Sequence, residues 1–215
     1  MRWLRRLFAG PREDRALPRI PDPLTPQSED TQLDLAAALT FALYAGEPRL
    51  RVGEHCARVA RLVGRMAREL EIVGDHRRAL LRAAQLHEVG MIAVPLELVE
   101  FPGRLAPDQL ARIRAQALFG AEIVRKTEGL LTAWLVQHQY TDHQVLRRRF
   151  PDHGRELLLA GLFRVADVAD ALTVPRPYQD RLPEARRRDV LFQGSGTRFH
   201  PEAVEALLEM GPLAA

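Results

Sequence analysis

Residues 52–70 read VGEHCARVARLVGRMAREL, and Val52, Cys56, Val59, Val63, Met66 and Leu70 recur there in alternating steps of four and three. Those steps gather six apolar side chains on one stripe of an α-helix. Gly74 predicts its end, and Asp75 stands where it can cap a following helix whose apolar residues Leu80, Leu81, Ala83, Ala84 and Leu86 lead into His87 and Glu88. Pro95, Pro102 and Gly103 predict a loop. Helical patterns continue over about 107–126, 130–139, 155–172, 183–192 and 201–210, and one precedes the opening stretch, TQLDLAAALTFALYAG from Thr31, closed by Gly46 and Pro48. No segment alternates with period two and no internal repeat is visible, so the expected fold is all-α.

The 215 residues suit one domain and a tail, expected as a flexible Arg/Pro-rich tail over 1–30 and a helical domain over 31–215. Five prolines between residues 11 and 30 forbid a continuous helix there. MRWLRRLFAG is too short and too broken by arginine for a secretory core, and membrane contact by residues 1–10 is the minor reading beside a simple tail. No apolar run reaches membrane-spanning length, and the single cysteine, Cys56, excludes a disulfide framework and cysteine-rich zinc sites. The compartment expected is the cytoplasm, with Cys56 buried and inert on its helix. A net charge of +3 with Lys126 the only lysine is too small an excess to argue for nucleic acid. LRRRF and EARRRD read as solvated faces.

Residues of metal-ligating type fall on several helices: His55 on the opening one, His87 and Glu88 at the end of the next, His138 at the end of LLTAWLVQH, and Asp167 and Asp170 one turn apart in RELLLAGLFRVADVADALT. Such groups converge in helical metalloproteins, although each alone is an ordinary cap or surface residue.

Their order and spacing resemble the HD superfamily of metal-dependent phosphohydrolases, specifically its HD-GYP branch. HCARVARLVGRMARELEI is similar to the first ligand helix of that family. QLHEVGMIAVPLELVEFPGRL is similar to its HD-I-G-K-I-x-x-P segment and K-P-G-x-L loop, and FGAEIV follows where the family carries H-P-x-x-G. LFRVADVADALTVPRPYQ is similar to I-L-x-V-A-D-x-x-D-A-L-T-x-x-R-P-Y-K, and GSGTRFHPEAVEAL to the S-G-T-x-F-D-P segment. The resemblance implies an HD-type helical bundle, a site of two or three iron or manganese ions, and action on cyclic di-GMP.

Position by position, the implied ligand set is only partly kept. His55, His87, His138 and Asp167 match ligands, and Glu88 replaces the aspartate of the HD pair. Arg51, Gln116 and Gln139 stand where the family carries a glutamate and two histidines. Amides are poor ligands for iron or manganese, and a guanidinium brings positive charge where a carboxylate offset it. Arg176 matches a phosphate-contacting arginine and, with Asp170, is the residual substrate-facing position. Met91 and Gln179 replace the lysines, and Leu146, Arg147 and Arg148 occupy the place of the G-Y-P loop.

Two readings follow. The first is a degenerate HD-GYP domain, non-catalytic, holding no metal or one manganese or iron ion, and working as a binding or regulatory module with an unidentified protein partner and a cyclic dinucleotide or nucleotide as ligand. The second keeps His55, His87, Glu88 and Asp167 as a single-metal phosphohydrolase acting on a nucleotide or cyclic dinucleotide.

Overall fold

The computed structural model describes residues 52–101, 103–173 and 182–211. The 1–30 tail, the helix expected from Thr31, and Arg51, Arg176 and Gln179 lie outside them. Among the described residues the fold is all-α: α1 Val52–Glu69, α2 Gly74–Leu86, a 3₁₀ turn Val89–Ala93, α3 Leu96–Val99, α4 Pro107–Arg114, α5 Gln116–Glu128, α6 Leu130–Gln137, α7 His143–Arg149, α8 Gly154–Thr173, α9 Glu184–Gln193 and α10 Pro201–Glu209. They include no β-strand, only an isolated bridge between Ser195 and Phe199, and no helix long and apolar enough to cross a membrane.

The opening stripe forms as its spacing dictates. Val52, Cys56, Val59, Val63 and Met66 are buried along α1. Full burial of a valine or methionine contributes about 1.5–3 kcal/mol, so this face alone commits α1 to the core. α8 is the central element: its run LLLAGLF is apolar on every side, and the helix is buried nearly all round, against α1, α2 and α10. Trp134 of α6, Phe163 of α8 and Phe199 before α10 are the bulkiest fully buried side chains.

Several boundaries differ from the sequence reading. α2 starts at Gly74 with Val73 at the N-cap, and Asp75 pairs with exposed Arg78 at 2.8 Å instead of capping. The pattern over 107–126 breaks at Ala115 because its halves pack on different partners. Ile113 of α4 joins the small apolar cluster of Met91, Val94 and Leu98, whereas α5 lies on α6 and the 3₁₀ turn. α7 was not anticipated; it occupies the region assigned to a missing loop.

Candidate metal centre

His55 sits in the first turns of α1, on the side that packs against α8. His87 is the C-cap of α2 and is 0% exposed, with its ring edge-on to Phe163. A helix end leaves carbonyls without intrahelical partners, and His87 uses one of them: its Nδ1–H donates to the Ala84 carbonyl at 2.9 Å. That bond places the hydrogen on Nδ1 and turns the Nε2 lone pair toward α1. Glu88 follows as the N-cap of the 3₁₀ turn. The turn is pressed onto α5, since a Cβ on Gly90 would stand 2.0 Å from the Gln116 carbonyl oxygen. Only glycine permits that approach.

Asp167 and Asp170 lie three residues apart on α8 and therefore on one face. Asp170 is 6% exposed, and both its oxygens are engaged. Oδ2 accepts from His55 Nδ1 at 2.7 Å and from Arg58 Nη2 at 3.1 Å, and Oδ1 accepts from Arg58 Nε at 2.6 Å. The sequence reading set Asp170 toward a substrate; its bonds here go to His55 and Arg58, an arrangement that orients the His55 ring.

With both rings oriented, His55 Nε2 and His87 Nε2 face each other 3.1 Å apart. Asp167 Oδ1 lies 3.3 Å from the first and 3.9 Å from the second, and Glu88 Oε1 lies 3.6 Å from His87 Nε2. Ligand atoms of His55, His87 and Glu88 all fall within 4.8 Å of one another. A first-row ion held at about 2.0–2.2 Å puts its nitrogen and oxygen donors at about such separations. His55, His87 and Glu88, with Asp167 beside the two imidazoles and a carboxylate and a carbonyl fixing the ring tautomers, offer donor chemistry that suits a divalent ion.

The electrostatics agree. Burial opposes charge on His55, yet hydrogen bonds to Asp167 and Asp170 and the charge of Glu88 raise its pKa to about 10. Burial likewise opposes ionisation of Asp167, but the His55 bond and the charges of His55, His87 and Arg164 hold it at about 2. Burial keeps His87 below its ordinary value and hence neutral, the form that ligates. The pocket stabilises positive charge at the point where the donors meet, whether a proton or a metal carries it. Cys56, with Sγ 3.8 Å from His87 Nδ1, has its thiol pushed up by burial.

The remaining described sequence candidates are engaged in other contacts. His138 is packed between Trp134 and Phe150, with Nδ1 3.4 Å from the Thr141 hydroxyl, and does not belong to the convergent donor group. Gln116 and Gln139 are each 2% exposed; the Gln116 amide donates to the Tyr140 hydroxyl at 3.0 Å and the Gln139 amide to the His87 carbonyl at 3.0 Å. Met91 is buried with Val94 and Leu98. Arg58 and Tyr140 escaped the sequence reading. The one available signal was the spacing of Arg58, three residues after His55 and thus on the same face.

The HD domain family matches residues 52–172, more than half of the chain, and this chain belongs to it. Its relatives place it in the HD-GYP branch. It is 29% identical over 163 residues to a 3'3'-cGAMP-specific phosphodiesterase of Vibrio cholerae, covering 74% of this chain and 30% of that protein. It is 28% identical over 164 residues to a cyclic di-GMP phosphodiesterase of Thermotoga maritima, covering 73% and 44%. Over 160 residues it is 30% identical to a cyclic di-GMP phosphodiesterase response regulator of Xanthomonas campestris, covering 70% and 41%. The chain spans less than half the length of each of these relatives.

Proposed function

We propose that this HD-GYP-type domain binds at most one divalent ion, manganese or iron, at His55, His87, Glu88 and Asp167, and acts as a binding or regulatory module for a cyclic dinucleotide, not as a phosphodiesterase. The observation that carries the proposal is the use made of Gln116 and Gln139. Where the family carries imidazoles for further metal, these amides are buried and donate to Tyr140 and to the His87 backbone. Phosphodiester hydrolysis by a metal pair relies on two ions about 3.5–4 Å apart to activate water and clamp the phosphoryl oxygens. One ion with neutral amides beside it lacks the clamp.

A second reading, a mononuclear phosphohydrolase, draws on the retained convergence of His55, His87, Glu88 and Asp167. A bound ion would supply Lewis acidity and a water of lowered pKa. In that reading Asp170 and the Ala84 carbonyl orient the two imidazoles, and burial of His87 excludes bulk water.

Metal content of protein purified without chelator, together with hydrolysis of cyclic di-GMP and a nucleotide panel with manganese or iron supplied, separates the readings. The expected result is one ion or less and no hydrolysis. Turnover of about 1 per second or faster, abolished by His87→Ala, would overturn the regulatory reading.

A further inference from the structure

α1 and α2 pack on each other, yet the first half of α1 and the second half of α2 leave a groove of about 430 Å³ between them. Gly53, Cys56, Ala57 and Ala60 line it from α1, and Leu81 and Gln85 from α2. Apart from the Cys56 thiol, the polar side chains of the lining are Arg61 and Gln85, both exposed. A small polar ligand needs several convergent polar groups, so this lining suits apolar side chains instead. The groove also backs onto the metal centre, since Cys56 Sγ lies 3.8 Å from His87 Nδ1.

α1 begins at Val52, so the chain enters it one residue from Gly53 and the groove. Shortly before stands TQLDLAAALTFALYAG, residues 31–46, in which Leu35, Leu39, Ala42 and Leu43 recur at helical spacing. A helix of that length is marginal by itself in water and needs a surface for its apolar face. Gly46 and Pro48 end the pattern and leave residues 47–51 as the link to α1. A link of five residues reaches up to about 17 Å, against about 8–10 Å between the axes of packed helices. Links this short join antiparallel neighbours. A turn centred there sets Ala42 close to the level of Ala57, and Leu39 close to that of Ala60, over the groove. It also brings Asp34 toward Arg61 and Arg65, which are exposed one turn apart on α1. One register therefore matches both the apolar face and the charge.

We infer that the groove between α1 and α2 is the docking site of this chain's own residues 31–46, packed antiparallel on α1 and covering Cys56, the side chain behind His87. The docking stands on the groove and on the sequence that precedes it, and is independent of the function proposed above.

The test uses the full chain carrying Cys56→Ala, so that introduced cysteines are the only ones present. Ala42→Cys/Ala57→Cys and Leu39→Cys/Ala60→Cys are oxidised at low protein concentration and mapped by peptide mass spectrometry. At least one pair is expected to close an intramolecular disulfide, while the control Thr40→Cys/Ala57→Cys, turned to the opposite side of the segment, stays reduced. In the wild-type background, Leu39→Asp is expected to lower Tm by about 5 °C or more, and Thr40→Asp to shift it by about 2 °C or less. If Leu39→Asp fails to fold, the disulfides decide. Disulfide-linked dimers in place of an intramolecular bond would assign the groove to a second copy of the chain and overturn the proposal. No bond in either pair, equal bonding in the control, or an unchanged Tm in Leu39→Asp would overturn it as well.

Discussion

Asp170→Asn probes the best-defined part of the centre. The carboxylate takes three N–H donors on two oxygens: His55 Nδ1 at 2.7 Å, Arg58 Nε at 2.6 Å and Arg58 Nη2 at 3.1 Å. Asparagine has the same shape but only one oxygen, so its amide nitrogen must confront at least one of those donors. If that donor is His55, the ring gains from moving its hydrogen to Nε2, the atom that faces His87 and the carboxylates. Loss of an orienting partner of this kind costs about 10–100-fold in metal affinity, or about 1.4–2.7 kcal/mol. In metal-free protein a charge-assisted bond is worth about 1.5–3 kcal/mol. Arg58 is partly exposed and recovers some of this from water, leaving a destabilisation of about 1–2 kcal/mol. Manganese titration by calorimetry and urea unfolding of chelator-treated protein measure the two effects separately. A manganese affinity within twofold of wild type would refute the orienting role, whatever happens to stability.

Gly90→Ala should destabilise the fold by about 3 kcal/mol or more and displace Glu88, because the new Cβ meets the Gln116 carbonyl oxygen at 2.0 Å and the Gly120 nitrogen at 2.7 Å, backbone atoms that cannot swing aside; an unfolding midpoint equal to wild type would contradict that contact. His143, edge-on to His200 at 4.7 Å, has its pKa lowered to about 4 by burial and the charges of His200 and Arg147. The unfolded chain then takes up the proton first as pH falls, so this contribution is intact above about 6.5 and is lost between about 6.5 and 4. Screening at the ring edge limits it to about 1–2 kcal/mol, and His143→Gln should flatten the stability profile in that window alone. Gln116→His/Gln139→His restores two imidazoles at the positions now held by amides and should raise metal content above that of wild type by elemental analysis. Unchanged content would show that these residues are not what limits the site.

The helices were legible wherever one apolar stripe meets one core, as in α1 and α8, because burial and period then agree. Legibility failed where tertiary packing divides a pattern. Nothing local marks Ala115 as the break between α4 and α5; the division arises because Ile113 and Gln116 serve different neighbours. α7 is short and draws its register from contacts of its first residues with Arg198 and Thr197, more than fifty positions away. The centre shows the same divide. Motif spacing could put His55, His87, Glu88 and Asp167 on elements that meet, but the orienting role of Asp170 shows only in its bonds to His55 and Arg58. Side-chain direction at a helix end also escaped the pattern: His138 ends its helix as expected, and its ring then turns between Trp134 and Phe150.

On the function proposed above, charge would make such a site favour a single ion. Two neutral imidazoles and two carboxylates, His55, His87, Glu88 and Asp167, carry two negative charges, which one divalent cation cancels. A second divalent ion would need further anionic or imidazole donors, and the nearby positions supply the neutral amides of Gln116 and Gln139. It would also approach Arg164, whose guanidinium already lies 3.9 Å from Asp167. At that range in a partly buried site, repulsion between a dication and a guanidinium is on the order of several kcal/mol. The replacements are also tied to what is kept. Gln139 holds the backbone carbonyl of His87, so the residue standing where the resemblance implies an imidazole braces a proposed ligand. An imidazole returned to position 139 would have to forgo that brace, and regaining a second metal therefore works against the geometry of the first.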